Sequence, residues 1–212
     1  MPFRNRADAG RRLAGALERF RSRNPVILAL PRGGVPVGYE VARALGAPLD
    51  IMVVRKLGAP GHEELAVGAI APGAVYVDRS IVRQLGVTQA YLEHVAAVEA
   101  RELARRELAY RAGRPPLQVE GRTAILIDDG LATGATVRAA VESLRLRRPA
   151  LVVVGAPVGA PETVARLQDV ADEVVCLETP PDFRAVSLAY DDFAPTLDSE
   201  VVRCLAAADK GG

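Results

Sequence analysis

The stretch Ala124-Ile125-Leu126-Ile127-Asp128-Asp129-Gly130-Leu131-Ala132-Thr133-Gly134-Ala135-Thr136 decides the fold. Its first four residues are apolar, as in a strand buried on both faces of a sheet, and two adjacent carboxylates end the run abruptly. Unpaired carboxylates are costly to bury, so Asp128 and Asp129 belong at the strand's carboxyl end, at the edge of the sheet. The loop from Ala132 to Thr136 is small or hydroxyl-bearing and leaves its backbone N–H groups unobstructed. Val137, Ala140, Val141 and Leu144 then fall at i, i+3, i+4 and i+7 of a helix. Arg145, Arg147 and Arg148 suit the carboxyl end of that helix, and its amino end is open to an anion. This order predicts a parallel α/β sheet with a sugar-phosphate site at its carboxyl edge. The phosphate would rest on the loop, and a ribose would offer vicinal hydroxyls to the acids, with Mg²⁺ on the same hydroxyls softening the charge clash.

Working outward, Asn5 with Asp8 three residues later starts a helix whose apolar face is Ala9, Leu13, Leu17 and Phe20. Val26 to Leu30 reads as a buried strand running into Pro31-Arg32-Gly33-Gly34, a second strand-to-helix turn. Val37, Val41 and Leu45 mark the next helix, which Gly46 ends, and Leu49 to Val54 makes a second strand. The segment beyond Arg55-Lys56 reads as a loop through Gly58, Pro60 and Gly61. A hairpin follows at the sheet edge, from Leu65 to Ile70 and Ala74 to Val77. Thr88 to Arg111 is a long helix with Glu102/Arg106 and Glu107/Arg111 at i, i+4. Strands at 151–154 and 174–177 with a helix at 162–167 complete a doubly wound, mainly parallel sheet flanked by helices. One domain over 1–212 is expected, with a core at 24–178 and a helical insertion at 79–116.

Composition narrows the setting. The chain has 212 residues, half of them hydrophobic, and a formal charge of +1, which announces no polyanionic partner and no nucleic-acid stripe. Two cysteines without metal spacing and no apolar run near the roughly 20 residues of a membrane span predict a cytoplasmic protein with no membrane partner. His94 reads as a surface residue. Arg101, Arg105, Arg106, Arg111 and Arg114 read as a solvated face, because Glu99, Glu102 and Glu107 are interspersed.

The run 124–136 resembles the signature of the type I phosphoribosyltransferases, which use 5-phosphoribosyl 1-diphosphate. The resemblance implies that Asp128 and Asp129 hold the ribose hydroxyls and, through ribose or water, a Mg²⁺ cofactor. It places the 5′-phosphate on Ala132, Thr133, Gly134, Ala135 and Thr136. Arg32, Gly33 and Gly34 correspond to the family's diphosphate loop, facing the other anion site across the sheet. Arg55, Lys56 and His62, within 55–64, are similar to the mobile catalytic loop of the orotate and adenine enzymes and would neutralise the departing diphosphate. Members that act on 6-oxopurines carry an acid where this chain has Ala132, so hypoxanthine and guanine are disfavoured acceptors. A small hood at 179–197 would grip the base, with Phe183 as first and Tyr190 as second stacking candidate. The resemblance thus implies a Mg²⁺-dependent transferase acting on a nitrogenous base, with a homodimer common among relatives. A non-catalytic regulator that binds a nucleotide or the same diphosphate is the alternative.

Overall fold

The computed structural model describes residues 2–209, with the side chains of Glu63 and Glu64 outside the described set. Helix α1 (Arg6–Leu17) opens the chain, and the Asn5 side chain caps it by accepting from the Asp8 N–H at 2.9 Å. Strand β1 (Pro25–Ala29), helix α2 (Gly34–Leu45) and strand β2 (Leu49–Ile51) form the first parallel crossover. Next come β3 (Arg55–Ala59), β4 (His62–Ala71) and β5 (Ala74–Val77), then α3 (Arg79–Leu85) and α4 (Gln89–Arg111). The second half runs β6 (Thr123–Ile127), α5 (Ala135–Leu146), β7 (Leu151–Val158), α6 (Pro161–Leu167), β8 (Glu173–Glu178) and α7 (Asp198–Ala208).

The main sheet has the order β2-β1-β6-β7-β8 and is parallel throughout. Every residue of β1 and β6 is buried, because helices cover both faces. Ile27, Ile125 and Ile127 point into one core layer with Leu13, Leu17 and Val41. Val26, Leu28 and Leu126 alternate into the other with Val137, Val141 and Leu144. Burying each large aliphatic side chain contributes about 1.5–3 kcal/mol, so these two layers dominate the sheet's stability.

Two expectations need correcting. Residues 55–59 are a strand rather than a loop, because β3 pairs antiparallel with β4, and register shifts around Gly58 absorb the residues that looked like loop punctuation. The hairpin also does not edge the main sheet. With β3 it forms a separate three-stranded sheet, packed on α5, where the Ser143 hydroxyl donates to the Pro72 carbonyl at 2.5 Å. The helical insertion comprises two helices, and Thr88 caps the second by accepting from the Tyr91 N–H.

One of the arginines expected on a solvated face is an anchor. Arg111 reaches Asp50 at the start of the core, donating from Nε at 3.0 Å, and its side chain is 11% exposed. The same carboxylate accepts from the Leu117 N–H, so it organises the return of the insertion to β6. Arg111→Ala should destabilise the fold by about 3–5 kcal/mol, since it leaves a buried carboxylate without its cation. Urea denaturation should show this as a lower midpoint, whereas a change below about 0.5 kcal/mol would mean the pair is not an anchor.

Candidate functional site

The site follows from one register. β1 and β6 pair with Ala29 opposite Ile127, and the Leu30 N–H continues the ladder by donating to the Ile127 carbonyl at 2.8 Å. The Pro31–Gly34 and Asp128–Thr136 segments therefore leave the sheet side by side rather than facing each other across it. The chain crosses from β1 to β2 in one direction and from β6 to β7 in the other, so the two loops flank the point where strand order reverses. That is where open parallel sheets bind ligands.

Both loops lead into helices with glycine caps, Gly33 for α2 and Gly134 for α5, and no described side chain caps either helix. At α5 the first N–H groups and the helix dipole thus remain available to an anion, whereas at α2 the Gly34 and Val35 N–H groups already donate to the Leu30 and Arg32 carbonyls, leaving the dipole and the exposed turn before it. Gly134 has φ +77°, a left-handed conformation, and a Cβ there would stand 2.7 Å from Thr163 Cγ2. Gly33 lies against the acid pair, since a Cβ on it would fall 1.9 Å from Asp129 Oδ2. The Pro31–Arg32 peptide is cis.

Asp128 and Asp129 have different surroundings. Asp128 Oδ1 accepts from the Asp129 N–H at 2.9 Å, and burial, followed by the neighbouring Asp129 charge, pushes its carboxyl well above the usual carboxylate range. Asp129 Oδ2 accepts from Arg6 Nε at 2.8 Å. Arg6 is held in turn, donating to the Ala194 carbonyl at 2.7 Å and stacking 3.9 Å above the Phe193 ring. Nothing in the spacing of residues near the amino terminus marks Arg6 as a site residue, because its contact with Asp129 spans 123 positions.

The loop 132–135 lines a cavity of about 430 Å³ closed on the opposite side by the antiparallel sheet. Lys56 lines this cavity, so it lies with the 132–135 loop rather than with Arg32. Arg138 and Arg166 line it too, and neither is singled out by the sequence. Arg138 stands over the Tyr76 ring at 4.9 Å, and Arg166 donates to the Thr163 hydroxyl. That hydroxyl donates to the Ala132 carbonyl at 2.6 Å and so holds the loop from behind. The helical periodicity around Arg138 gives only a face; the distant strand that meets it is not written locally.

The other expected residues are less concentrated. Arg55 is committed to Glu99 of α4 at 2.6 Å, and His62 is exposed at the β3–β4 turn, outside the cavity lining. Phe183 is half-buried beside a groove of about 600 Å³ under the hood. Tyr190 has no open face for stacking. It is buried with Phe3 and Phe193 at centroid separations of 5.5 and 5.0 Å, and its hydroxyl donates to the Asp129 carbonyl at 2.6 Å. Burial and then the Asp129 charge raise its phenol far above the ordinary value, so it stays a donor. No group of three or more metal-ligating side chains occurs among the described residues, and no described helix is long and apolar enough to cross a membrane.

Residues 3–193 match the family model described as a phosphoribosyl transferase domain. Two Mycobacterium tuberculosis proteins, provisionally named phosphoribosyl transferases, are each 46% identical over 209 residues, which is 98% of this chain and 47% of theirs. The chain spans about half the length of these curated relatives. A crystal structure of a Thermus thermophilus protein superposes with a TM-score of 0.84 at 44% identity, covering 98% of this chain and 99% of that one.

The raised Asp128 carboxyl has a consequence for stability. The folded state holds this proton at pH values where the unfolded chain has released it, so the contribution of Asp128 falls as pH rises from about 4 through its folded pKa. In buffer without divalent metal or phosphate, Asp128→Asn should be more stable than the parent at pH 7, with the difference vanishing below pH 4. Urea midpoints across this range test it, and a difference independent of pH would contradict it.

Proposed function

The chain belongs to the phosphoribosyl transferase domain family, and on that premise we propose that it transfers the phosphoribosyl group of 5-phosphoribosyl 1-diphosphate to a nitrogenous acceptor. The observation that carries this reading is the emergence, side by side at the reversal of strand order, of two glycine-led strand-to-helix turns next to an acid pair, the α5 start with its first N–H groups open. A donor with an anion at each end and vicinal hydroxyls between them matches that order of groups.

In this reading Asp128 and Asp129 orient the ribose by accepting from its hydroxyls. Residues Ala132 to Thr136 hold the 5′-phosphate through backbone N–H groups and the Thr133 and Thr136 hydroxyls, while Lys56, Arg138 and Arg166 supply positive charge beside it. The turn of Arg32, Gly33 and Gly34 takes the diphosphate, with Gly34 packed closely on the Ile127 carbonyl and Arg32 adding a guanidinium. As the bond from diphosphate to the ribose C1 carbon lengthens, positive charge grows on the sugar and negative charge on the leaving group. Fixed N–H dipoles and cations at the two loops favour that separation without reorganising. The antiparallel sheet over the cavity limits the access of water.

Mg²⁺ fits this arrangement as a cofactor that arrives with the donor. Asp128 and Asp129 would hold it through the ribose hydroxyls or water, and it would supply positive charge to the departing diphosphate. The absence of an acid at position 132 favours acceptors other than 6-oxopurines.

Incubation with 5-phosphoribosyl 1-diphosphate, Mg²⁺ and a panel of nucleobases and simpler nitrogen heterocycles should release diphosphate with at least one acceptor. Asp128→Asn combined with Asp129→Asn should lower kcat/KM about 100-fold or more. Donor binding without turnover on any acceptor would contradict the transferase reading and favour a regulator.

A further inference from the structure

Arg32, the charged residue of the diphosphate loop, points away from the phosphate cavity and into a second, smaller one. That cavity has a volume of about 140 Å³ and is lined by Arg32, Arg105, Arg106, Ala109, Tyr110 and Asp198. It brings together β1's exit loop, the last third of α4 and the first residue of α7, which are far apart in the chain. At about a third of the volume of the first cavity, it suits a group on the scale of a phosphate rather than a nucleoside.

Three guanidiniums meet here against two carboxylates, Asp198 and Glu102. Arg105 donates to Glu102 from two nitrogens at 2.7 and 2.8 Å, and Arg106 Nε donates to it at 2.8 Å. Each guanidinium carries five N–H donors, so both keep donors beyond those that Glu102 accepts. Asp198 stands 3.8 Å from Arg32 and accepts from the Tyr110 hydroxyl at 2.8 Å. Its side chain is 70% exposed, so it can turn outward without unpacking any core.

We propose that Arg105 and Arg106 of α4 join Arg32 in a subsite for the terminal phosphate of the donor's diphosphate, and that Asp198 competes with that phosphate for Arg32. This rests on the donor assignment above and extends it to a helix that the signature does not include. The diphosphate would begin at the Gly33–Gly34 turn and end among the guanidiniums of Arg32, Arg105 and Arg106. A planar fork of donors matches a phosphate better than it matches a single carboxylate oxygen at 3.8 Å. Tyr110 stays protonated, its phenol raised by burial and by its bond to Asp198, so once Asp198 turns away its hydroxyl can donate to the phosphate instead.

The competing account is a tether between α4 and α7. The two differ in sign at one position, because a competitor's removal strengthens anion binding, whereas a tether's removal only loosens the fold. The test is calorimetric titration of the full chain with inorganic diphosphate, and separately with ribose 5-phosphate, which has no diphosphate. Arg105→Ala combined with Arg106→Ala should weaken diphosphate about tenfold or more and leave ribose 5-phosphate unchanged. Asp198→Asn, which keeps an acceptor for Tyr110, should tighten diphosphate severalfold. Thermal melts accompany each variant, and Arg105→Lys with Arg106→Lys keeps the charge should the alanine pair fail to fold; partial retention of diphosphate affinity is then expected. Diphosphate affinity indifferent to Arg105, Arg106 and Asp198 would overturn the subsite and leave the donor assignment standing. Failure of the parent protein to bind both diphosphate and ribose 5-phosphate would overturn the donor assignment and the subsite with it.

Discussion

The parallel pairing of β1 with β6 is the constraint on which the rest depends. Because Ala29 lies opposite Ile127 and the Leu30 N–H closes the ladder on the Ile127 carbonyl, two loops of independent sequence emerge together at the reversal of strand order. Full burial of both strands fixes that register: a slip of one residue would turn apolar side chains of the two core layers toward the wrong face. The site is therefore held by the most protected part of the sheet, while the residues around it tolerate groups a core would reject.

Those groups are costly. Asp128 and Asp129 sit together at the edge of the sheet, and the fold offsets their repulsion unequally. Asp129 is braced by Arg6 through the side chain and by Tyr190 through the carbonyl, so two segments remote in sequence close on one residue. Asp128 accepts only the Asp129 N–H among the described residues, and burial followed by the Asp129 charge raises its carboxyl. An acid pair of this kind is strained until hydroxyls or a cation share its charge, as expected where stability gives way to binding.

Much of this is legible in sequence where the signal is local. Apolar runs broken by acids or glycines mark β1, β6 and their loops, helical periodicity marks α2 and α5, and charge pairs at i, i+4 mark α4. The 55–64 segment misleads because Gly58, Pro60 and Gly61 carry loop chemistry locally, whereas pairing with β4 makes a strand of residues 55–59 through irregular register. Tyr190 reads as a free aromatic in an aromatic-poor chain, but Phe3 and Phe193 enclose it. Arg6, Arg138 and Arg166 have no local mark at all, since a guanidinium's partner is chosen by tertiary contact. Arg111 looks like its neighbours on α4, and only the fold separates the one that reaches Asp50 from those that face the Arg32 cavity.

The placing of the two glycine-led turns around the acid pair carries the functional reading. A crystal structure with 5-phosphoribosyl 1-diphosphate and Mg²⁺ bound tests that reading directly. It should show the 5′-phosphate on residues 132–136, the ribose hydroxyls on Asp128 and Asp129, and the diphosphate on Gly33 and Gly34. A donor bound in the opposite sense, or away from the junction of β1 and β6, would contradict it.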